Sequence, residues 1–364
     1  MRSIRLEPRA EQSLLASFLV SGSAILLTLL AGSMLFVFYG KSPVAGFHAF
    51  FVEPLQTQYG IGEVLLKMTP LLLIAQGLAI GFRARIWNIG AEGQLILGAI
   101  AAGTVAIWFE TSDSLFLLPG MIIVGALAGM AWAGIAAWLR VTFNANEILV
   151  TFMLSNIALQ LLYYLVTGPL RDPQGFNFPQ SVTFSDAAMF SILLEDTRVS
   201  TALIIALVAS IAAWIFVRRS MLGYQLIVGG LAPAAAQYAG FSAKRTIWIS
   251  LLIGGAAAGI AGVGEVSGPL GMLQRNISPG YGYAAIIVAF LGALHPIGII
   301  FSSALMALIY VGGDYARLSI GLPSAVTTIF QGMLLTFYLA SSLLLSYKIR
   351  FSDPRVAIQR SPAS

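Results

Sequence analysis

Trp87-Asn-Ile-Gly-Ala-Glu-Gly-Gln94 places a carboxylate, carboxamides and two glycines at the mouth of an apolar run, Leu95-Ile-Leu-Gly-Ala-Ile-Ala101, and closely follows Arg83-Ala-Arg85. A polar cluster where a chain enters a long apolar segment is the mark of a membrane helix with a purpose at its start. A fainter echo, Asn276-Ile-Ser-Pro-Gly-Tyr-Gly-Tyr283, precedes another apolar run 188 residues later. The two copies read as the trace of an internal repeat.

The rest of the chain agrees with a membrane setting. Hydrophobic residues make up 58%, charged residues 10%, and the mean hydropathy is +0.87. No soluble globule of 364 residues hides that much apolar surface. Residues 1–364 therefore read as a single integral membrane domain. With no cysteine and only His48 and His295, disulfide, thiolate and histidine-cluster metal chemistry drop out, and no metal site is expected. Phe38-Tyr-Gly-Lys-Ser42 contains Gly-Lys-Ser without the glycine that a phosphate-binding loop needs five residues earlier. Any ATP is therefore used by another chain.

Spanning helices need roughly 20 apolar residues, and such runs fall at about 14–38, 62–81, 88–108, 116–139, 148–167, 200–217, 247–266, 281–294, 296–312 and 325–346. The first is too long for a signal-peptide core and reads as a retained helix. The expectation is an all-α polytopic bundle of about ten transmembrane helices. The eighth and ninth runs, parted only by His295-Pro296, also read as one kinked span, which gives nine. Basic residues arbitrate: with ten spans and the N-terminus inside, fourteen basic residues face inward and only Lys41, Arg171, Arg198, Arg275 and Arg317 face outward. Both termini are then cytoplasmic. Asn88 lies where the chain re-enters from inside and Asn276 where it re-enters from outside. Spans 2–5 and 7–10 would accordingly form an inverted repeat.

Two connections are long. Residues 168–199, an extracytoplasmic loop on this topology, read as an ordered cap with short helical pieces. Residues 218–246 form the longest cytoplasmic connection, where Pro233 starts and Gly240 stops a helix of about seven residues. Gly125-Ala-Leu-Ala-Gly129, Gly255-Ala-Ala-Ala-Gly259 and Gly264-Glu-Val-Ser-Gly268 are small-xxx-small patterns that read as close helix packing.

Glu92 and Glu265 are acids inside predicted spans. Glu92 has two readings: a first-turn acid complementing the dipole of a helix capped by Asn88, or part of a polar-solute surface made by a glycine-broken helix N-terminus. Asn144-Ala-Asn-Glu147 reads as a cap with a first-turn acid. Asn156 and Gln160 read as lining a polar cavity or binding a neighbouring helix. Lys67 reads as snorkelling to the outer interface, and His295 as capping a tight turn.

Several of these stretches together carry a family resemblance: Thr69-Pro-Leu-Leu-Leu73, Phe82-Arg-Ala-Arg-Ile-Trp-Asn-Ile-Gly-Ala-Glu-Gly-Gln94, Asn146-Glu-Ile-Leu-Val-Thr-Phe-Met-Leu154, Gly168-Pro-Leu-Arg-Asp172, Ala235-Ala-Gln-Tyr-Ala-Gly240 and Ile277-Ser-Pro-Gly-Tyr-Gly-Tyr283. Over roughly residues 60 to 345 the chain resembles the permease subunits of ATP-binding-cassette (ABC) importers for ribose, branched-chain amino acids and related solutes, most closely the nucleoside-uptake branch. The resemblance implies a type II importer-like fold in a bacterial cytoplasmic membrane. It also implies a second permease subunit, ATPase subunits that hold the ATP and magnesium, and an extracytoplasmic solute-binding protein. No nucleic acid is an expected partner.

By the same resemblance Pro233, Ala235, Ala236, Tyr238 and Gly240 belong to the helix that couples to the ATPase, and Arg171, Arg198, Arg275 and Arg317 are candidates to receive the binding protein. Ser155, and Gly230-Leu-Ala ahead of the alanine run, depart from the family's usual residues. On this reading the chain is no enzyme and moves a nucleoside, a purine nucleoside in particular, inward by alternating access. Asn88, Glu92, Gln94 and Asn276 would meet sugar hydroxyls and base edges, Trp87 or Tyr281 would stack on the base, and Asn156 and Gln160 would line the path. The alternatives are a sugar or other small polar solute on the same fold, or an ion-coupled transporter in which Glu92 or Glu265 carries the proton.

Overall fold

The computed structural model describes residues 3–8 and 14–352, with side chains from 22 to 341. Of the basic residues counted above, Arg2, Arg9, Arg355 and Arg360 lie outside the described residues. The helices are α1 (Leu14–Phe38), α2 (Pro43–Phe47), α3 (Gln58–Arg83), α4 (Ala91–Trp108), α5 (Leu117–Phe143), α6 (Glu147–Thr167), α7 (Ala202–Arg219), α8 (Met221–Leu231), α9 (Pro233–Tyr238), α10 (Ala243–Glu265), α11 (Tyr281–Leu291), α12 (Pro296–Ile320) and α13 (Ala325–Ser346). Short strands β1 (Ser3–Pro8) and β2 (Tyr347–Ser352) pair antiparallel, Arg5 opposite Arg350. Each apolar run of the sequence becomes a helix. Seven described helices are long and apolar enough to cross a membrane, or up to eight when one bent pair is taken as a single span. The chain is a multi-pass helical membrane protein.

Two compact units result, one from residues 1–46 with 320–364 and one from 47–319. In the first, α1 packs along α13, with Phe36 and Phe330 ring centroids 5.5 Å apart. The second is built around α10, whose small residues let α3, α4 and α5 approach to backbone contact. A Cβ on Gly98 would stand 2.4 Å from Gly259 Cα, and one on Gly129 would stand 2.1 Å from the Gly255 carbonyl oxygen. The first two small-xxx-small patterns therefore meet each other, and packing without an apolar driving force explains their composition. The third does not act this way: Gly264 and Gly268 face Ala202 and Ser200 at ordinary contact distance, where α10 gives way to a π-helical turn, Val266–Leu270.

Three departures from the sequence reading bear on the site. First, α4 begins at Ala91, because residues 86–89 are non-helical and Gly90 is a turn residue (φ −88°, ψ 13°) whose N–H goes to Asn88 Oδ1. Second, the eighth run shortens to the 11 residues of α11, which rise only about 16 Å at 1.5 Å per residue, half a membrane. It is a helix distinct from α12, separated by a turn in which Ala293 and Leu294 are left-handed. His295 Nδ1 accepts from Ile297 N–H at 3.3 Å and so caps α12. Third, connection 218–246 carries two helices, α8 and α9, where one was expected.

The 168–201 segment is ordered by threading along the chain that follows α10. Ser181 N–H donates to Leu273 O, Phe184 N–H to Gly271 O and Phe190 N–H to Ser267 O, each at 2.8 Å. Among its described residues it holds one 3₁₀ turn, Asp186–Ala188.

Candidate functional site: a junction of two helix N-termini

The two echoing stretches meet. α4 and α11 begin head to head, and the Glu92 carboxylate accepts from Gly282 N–H at 2.7 Å. The approach is so close that a Cβ on Gly282 would stand 2.2 Å from Glu92 N and 2.5 Å from its Cα. Trp87, five residues earlier, lies against Phe290 near the other end of α11, so residues 87–92 run antiparallel to that helix. Each helix is thus preceded by non-helical chain, 84–90 before α4 and 271–280 before the half-length α11, and the two begin at a shared centre.

Electrostatics explains why a carboxylate sits there with no ion pair among the described residues. Each helix N-terminus carries roughly half a positive elementary charge, so two that converge offset about one negative charge. Glu92 is 8% exposed, and Ser278 and Gly280 flank it beside Gly282. Around it the polar groups pair with one another. Asn88 and Gln94 exchange amide hydrogen bonds, Nδ2 to Oε1 at 2.9 Å and Nε2 to Oδ1 at 3.1 Å. Asn88 Oδ1 also accepts from Gly90 N–H at 3.0 Å, while Ile89 and Gly93 donate to the Thr151 and Ser155 hydroxyls of α6 at 3.1 and 3.2 Å. Ser155, a departure from the family's usual residue, is part of this seam.

The two stretches match in a different register from the one the sequence suggested. Counted from the helix starts, Gly90 corresponds to Gly280 and Glu92 to Gly282, an offset of 190. Asn88 then corresponds to Ser278, whose hydroxyl accepts from Gly280 N–H at 3.1 Å and Tyr281 N–H at 2.9 Å. Asn276 is exposed, and its carbonyl takes the Gln274 amide at 3.2 Å. Capping chemistry is shared; residue identity is not.

The aromatic residues divide as well. Tyr281 is fully buried, edge-on to Tyr310 at 5.7 Å, with Lys67 Nζ 5.5 Å from its ring centroid. Lys67 therefore turns into the bundle toward Tyr281 and Glu265 rather than snorkelling outward. Tyr283 is the tyrosine that reaches the surface, 38% exposed, its ring 6.5 Å from that of Phe152. Phe152, Asn156 and Gln160 are exposed at four-residue spacing on one face of α6. Trp87, 38% exposed, closes a three-ring stack with Phe290 at 5.6 Å and Phe82 at 5.2 Å. Aligning the helix starts on their glycines would have singled out Tyr283 and Ser278 from sequence.

Residues 60–339 match the family described as branched-chain amino acid transport system / permease component. The glucose ABC transporter permease protein TsgB13 of Haloferax volcanii is 33% identical, over 97% of this chain and 95% of its own length. The guanosine ABC transporter permease protein NupP of Bacillus subtilis is 31% identical, over 93% and 96% respectively. The nucleoside ABC transporter permease protein NupB of Lactococcus lactis is 29% identical, over 86% and 88%. The chain belongs to this permease family. It is a permease subunit of an ABC transporter and not itself an enzyme, and the ATPase is a separate partner. The ion-coupled alternative falls with that assignment. The family also implies a substrate-binding protein.

Two further regions hold the residues for which the sequence reading expects partner contacts. α9 starts on Pro233 and stops at Gly240, which is left-handed at φ +79°, as the sequence pattern indicated. Tyr238 is 97% exposed and Pro233 and Ala235 are exposed, while Ala236 turns inward at 4%. Of the four arginines, Arg198 is already engaged: its Nε and Nη2 reach the Glu63 carboxylate at 2.9 and 2.6 Å. The hydrogen bond to Glu63 raises the Arg198 pKa against the opposing effect of burial. Arg171 bonds the Asn177 amide oxygen, Arg275 stands 4.4 Å over the Tyr163 ring, and Arg317 is exposed.

Proposed function

We propose that this permease imports a nucleoside, with purine nucleosides as the preferred class. The observation that carries the reading is the exposed strip beside the Glu92 junction, where the Tyr283 and Phe152 rings lie next to the Asn156 and Gln160 carboxamides on one face of α6. Aromatic faces suit a base and carboxamides suit its edges and the ribose hydroxyls. The strip leads toward Tyr163 and Arg275 at the far end of α6. Asn88, Glu92 and Gln94 form the layer beneath it and hold its shape, Trp87 flanks it, Tyr281 supports it from within the bundle, and Asn276 lies near its outer end. Guanosine and nucleoside permeases among the relatives support the same solute class. The glucose permease keeps a sugar as the second reading, since a hexose uses the same amides without needing the rings.

In this proposal the chain crosses a bacterial cytoplasmic membrane ten times. Pairing of β1 with β2 supports an even count, with both termini on one side, and charge places that side in the cytoplasm. The head-to-head start of α4 and α11 supports an inverted repeat of α3–α6 and α10–α13, with alternating access between the halves. A second permease subunit covers the α6 strip. The 218–246 connection is cytoplasmic, and exposed Pro233, Ala235 and Tyr238 enter the ATPase while Ala236 and Gly240 set the helix. The 168–199 loop is extracytoplasmic. Arg171, Arg275 and Arg317 receive the binding protein, with Arg198 ordering the loop they stand on.

The test is uptake by the complete transporter in vesicles, with labelled guanosine and labelled glucose compared. Tyr283→Ala should lower guanosine uptake by about tenfold, the weight of one base stack, while Tyr283→Phe retains it. Accumulation of glucose but not guanosine overturns the nucleoside reading.

A further inference from the structure

Where α3 and α7 end, basic groups gather, and among the described residues no acid forms an ion pair with them. Arg83 closes α3, Arg218 and Arg219 close α7, and His295 stands between α11 and α12. The Arg83 guanidinium donates to Leu294 O at 2.6 Å, one residue from His295. Arg218 lies 5.9 Å over the Trp214 ring and close enough to repel both Arg83 and His295. Among the described residues the ion pairs join His48 to Glu53, Arg140 to Glu147 and Arg198 to Glu63, and none includes a member of this cluster. Helix C-terminal carbonyls offset part of the charge. The remainder attracts an anion.

An apolar cavity of about 240 Å³, open along one side, runs up the same helices between α3, α7 and α10. From α3 it is lined by Leu73 and Ile80, and Arg83 continues that row one turn on. From α7 it is lined by Ala212 and Phe216, and Arg219 continues that row in the same way. α10 contributes Ile253 and Ala257, and Gln76 is the one polar residue of the lining. A narrow apolar groove that ends on unpaired cations has the two halves of one amphiphile written into it.

We propose that this groove and its basic rim bind one anionic phospholipid, its phosphate held by Arg83, Arg218 and Arg219 and an acyl chain laid between α3 and α7. Charge complementarity selects an anionic headgroup over a zwitterionic one, because basic clusters between membrane helices favour acidic lipids. A free phosphate or an acidic segment of the ATPase would satisfy the rim and leave the groove empty. The lipid therefore ties α3, which leads into the Glu92 junction, to α7.

Native mass spectrometry of the complete transporter in detergent tests this, with phosphatidylglycerol, phosphatidylcholine of the same acyl chains, and inorganic phosphate titrated separately. Phosphatidylglycerol should bind ahead of phosphatidylcholine, and Arg218→Gln should weaken it about fivefold, the weight of one basic residue at an anionic leaflet. Ala212→Trp fills the groove from an exposed position, leaves every charge in place, and should weaken phosphatidylglycerol as well. ATPase association and the thermal transition of both variants serve as folding controls. Equal binding of the two lipids, or unchanged titrations in both variants, overturns the proposal. So does phosphate competition with no effect of Ala212→Trp, which leaves a simple anion site. Loss of the ATPase from Arg218→Gln with unchanged lipid binding assigns the rim to the ATPase and overturns it too.

Discussion

Removing the Glu92 carboxylate should unseat two helices at once. In Glu92→Ala the Gly282 N–H loses its 2.7 Å acceptor in a buried site, an omission that costs about 1–3 kcal/mol. The convergent N-termini of α4 and α11 also lose their counter-charge, worth about 0.3–1 kcal/mol at each. The expected total is about 2–4 kcal/mol. Glu92→Gln keeps an acceptor oxygen and the shape and should lose only the charge component, about 1–2 kcal/mol. Gly282→Ala attacks the same junction from the other side. Its new Cβ meets backbone at 2.2 Å and forces the helix ends apart, for about 1–3 kcal/mol or more.

The assay is the thermal transition of the purified permease in detergent, read together with guanosine uptake per folded transporter in vesicles. Glu92→Ala and Gly282→Ala should both lower the transition. The double variant should fall less than the sum of the two, because each change dismantles one contact. A Glu92→Ala permease with wild-type thermal behaviour and abolished solute uptake would refute the reasoning, and Glu92 would then be a ligand for solute rather than the keystone of the junction.

Other predictions follow from the packing and the loops. Gly129→Leu should abolish the stable bundle, since even a Cβ there meets the Gly255 carbonyl at 2.1 Å; loss of monodisperse protein on size exclusion is the readout, and a normal profile refutes the assigned helix contact. Arg198→Ala and Glu63→Ala should each loosen the 168–201 segment and raise its proteolysis. Because the Arg198 side chain is 51% exposed, solvent screening holds their coupling to about 1 kcal/mol in a double-mutant cycle. His295 has its pKa lowered by burial and then by Arg83 and Arg218, so the unfolded chain takes up that proton more readily than the folded one. Stability should be unaffected above the unfolded value near pH ~6.5 and should decline as pH falls below it. His295→Asn, which keeps an acceptor for Ile297 N–H, should remove that acid sensitivity in a thermal scan across pH 7.5 to about 5.

Much of this arrangement is legible in the chain because its signals are local. Apolar runs mark the helices. Pro233 and Gly240 mark the two ends of α9, and Asn146 caps α6 by accepting from Ile148 N–H at 2.9 Å, with first-turn Glu147 paired to Arg140 at 3.2 Å. What the sequence hides is tertiary. Hydropathy shows an apolar run at 281–294 but not that only 11 residues of it are α11. Lys67 reads as an interfacial lysine until α11 brings the Tyr281 ring beneath it. Arg198 and Glu63 are 135 residues apart, so nothing local announces their pairing. The sequence links the two stretches through the identity Asn-Ile, whereas what they share in the structure is a capping acceptor, an amide at Asn88 and a hydroxyl at Ser278.

The junction joins the two readings of Glu92 in one account. Gly282, which donates to Glu92, is the immediate neighbour of Tyr283, so the carboxylate that fixes the start of α11 also fixes the ring of the proposed solute strip. Ser155, which bonds Gly93, is the immediate neighbour of Asn156, so the same seam sets the α6 side of the strip. On the proposed function Glu92 would thus act on solute at one remove, through the backbone positions of Tyr283 and Asn156. A change at Glu92 moves both walls together, and a change at Tyr283 moves neither. Transport kinetics should separate them: Tyr283→Ala raises the solute concentration for half-maximal uptake in an otherwise stable transporter. Glu92→Gln should lower the maximal rate and the thermal transition together, because the starts of α4 and α11, about which the proposed alternating access would turn, lose the charge that joins them.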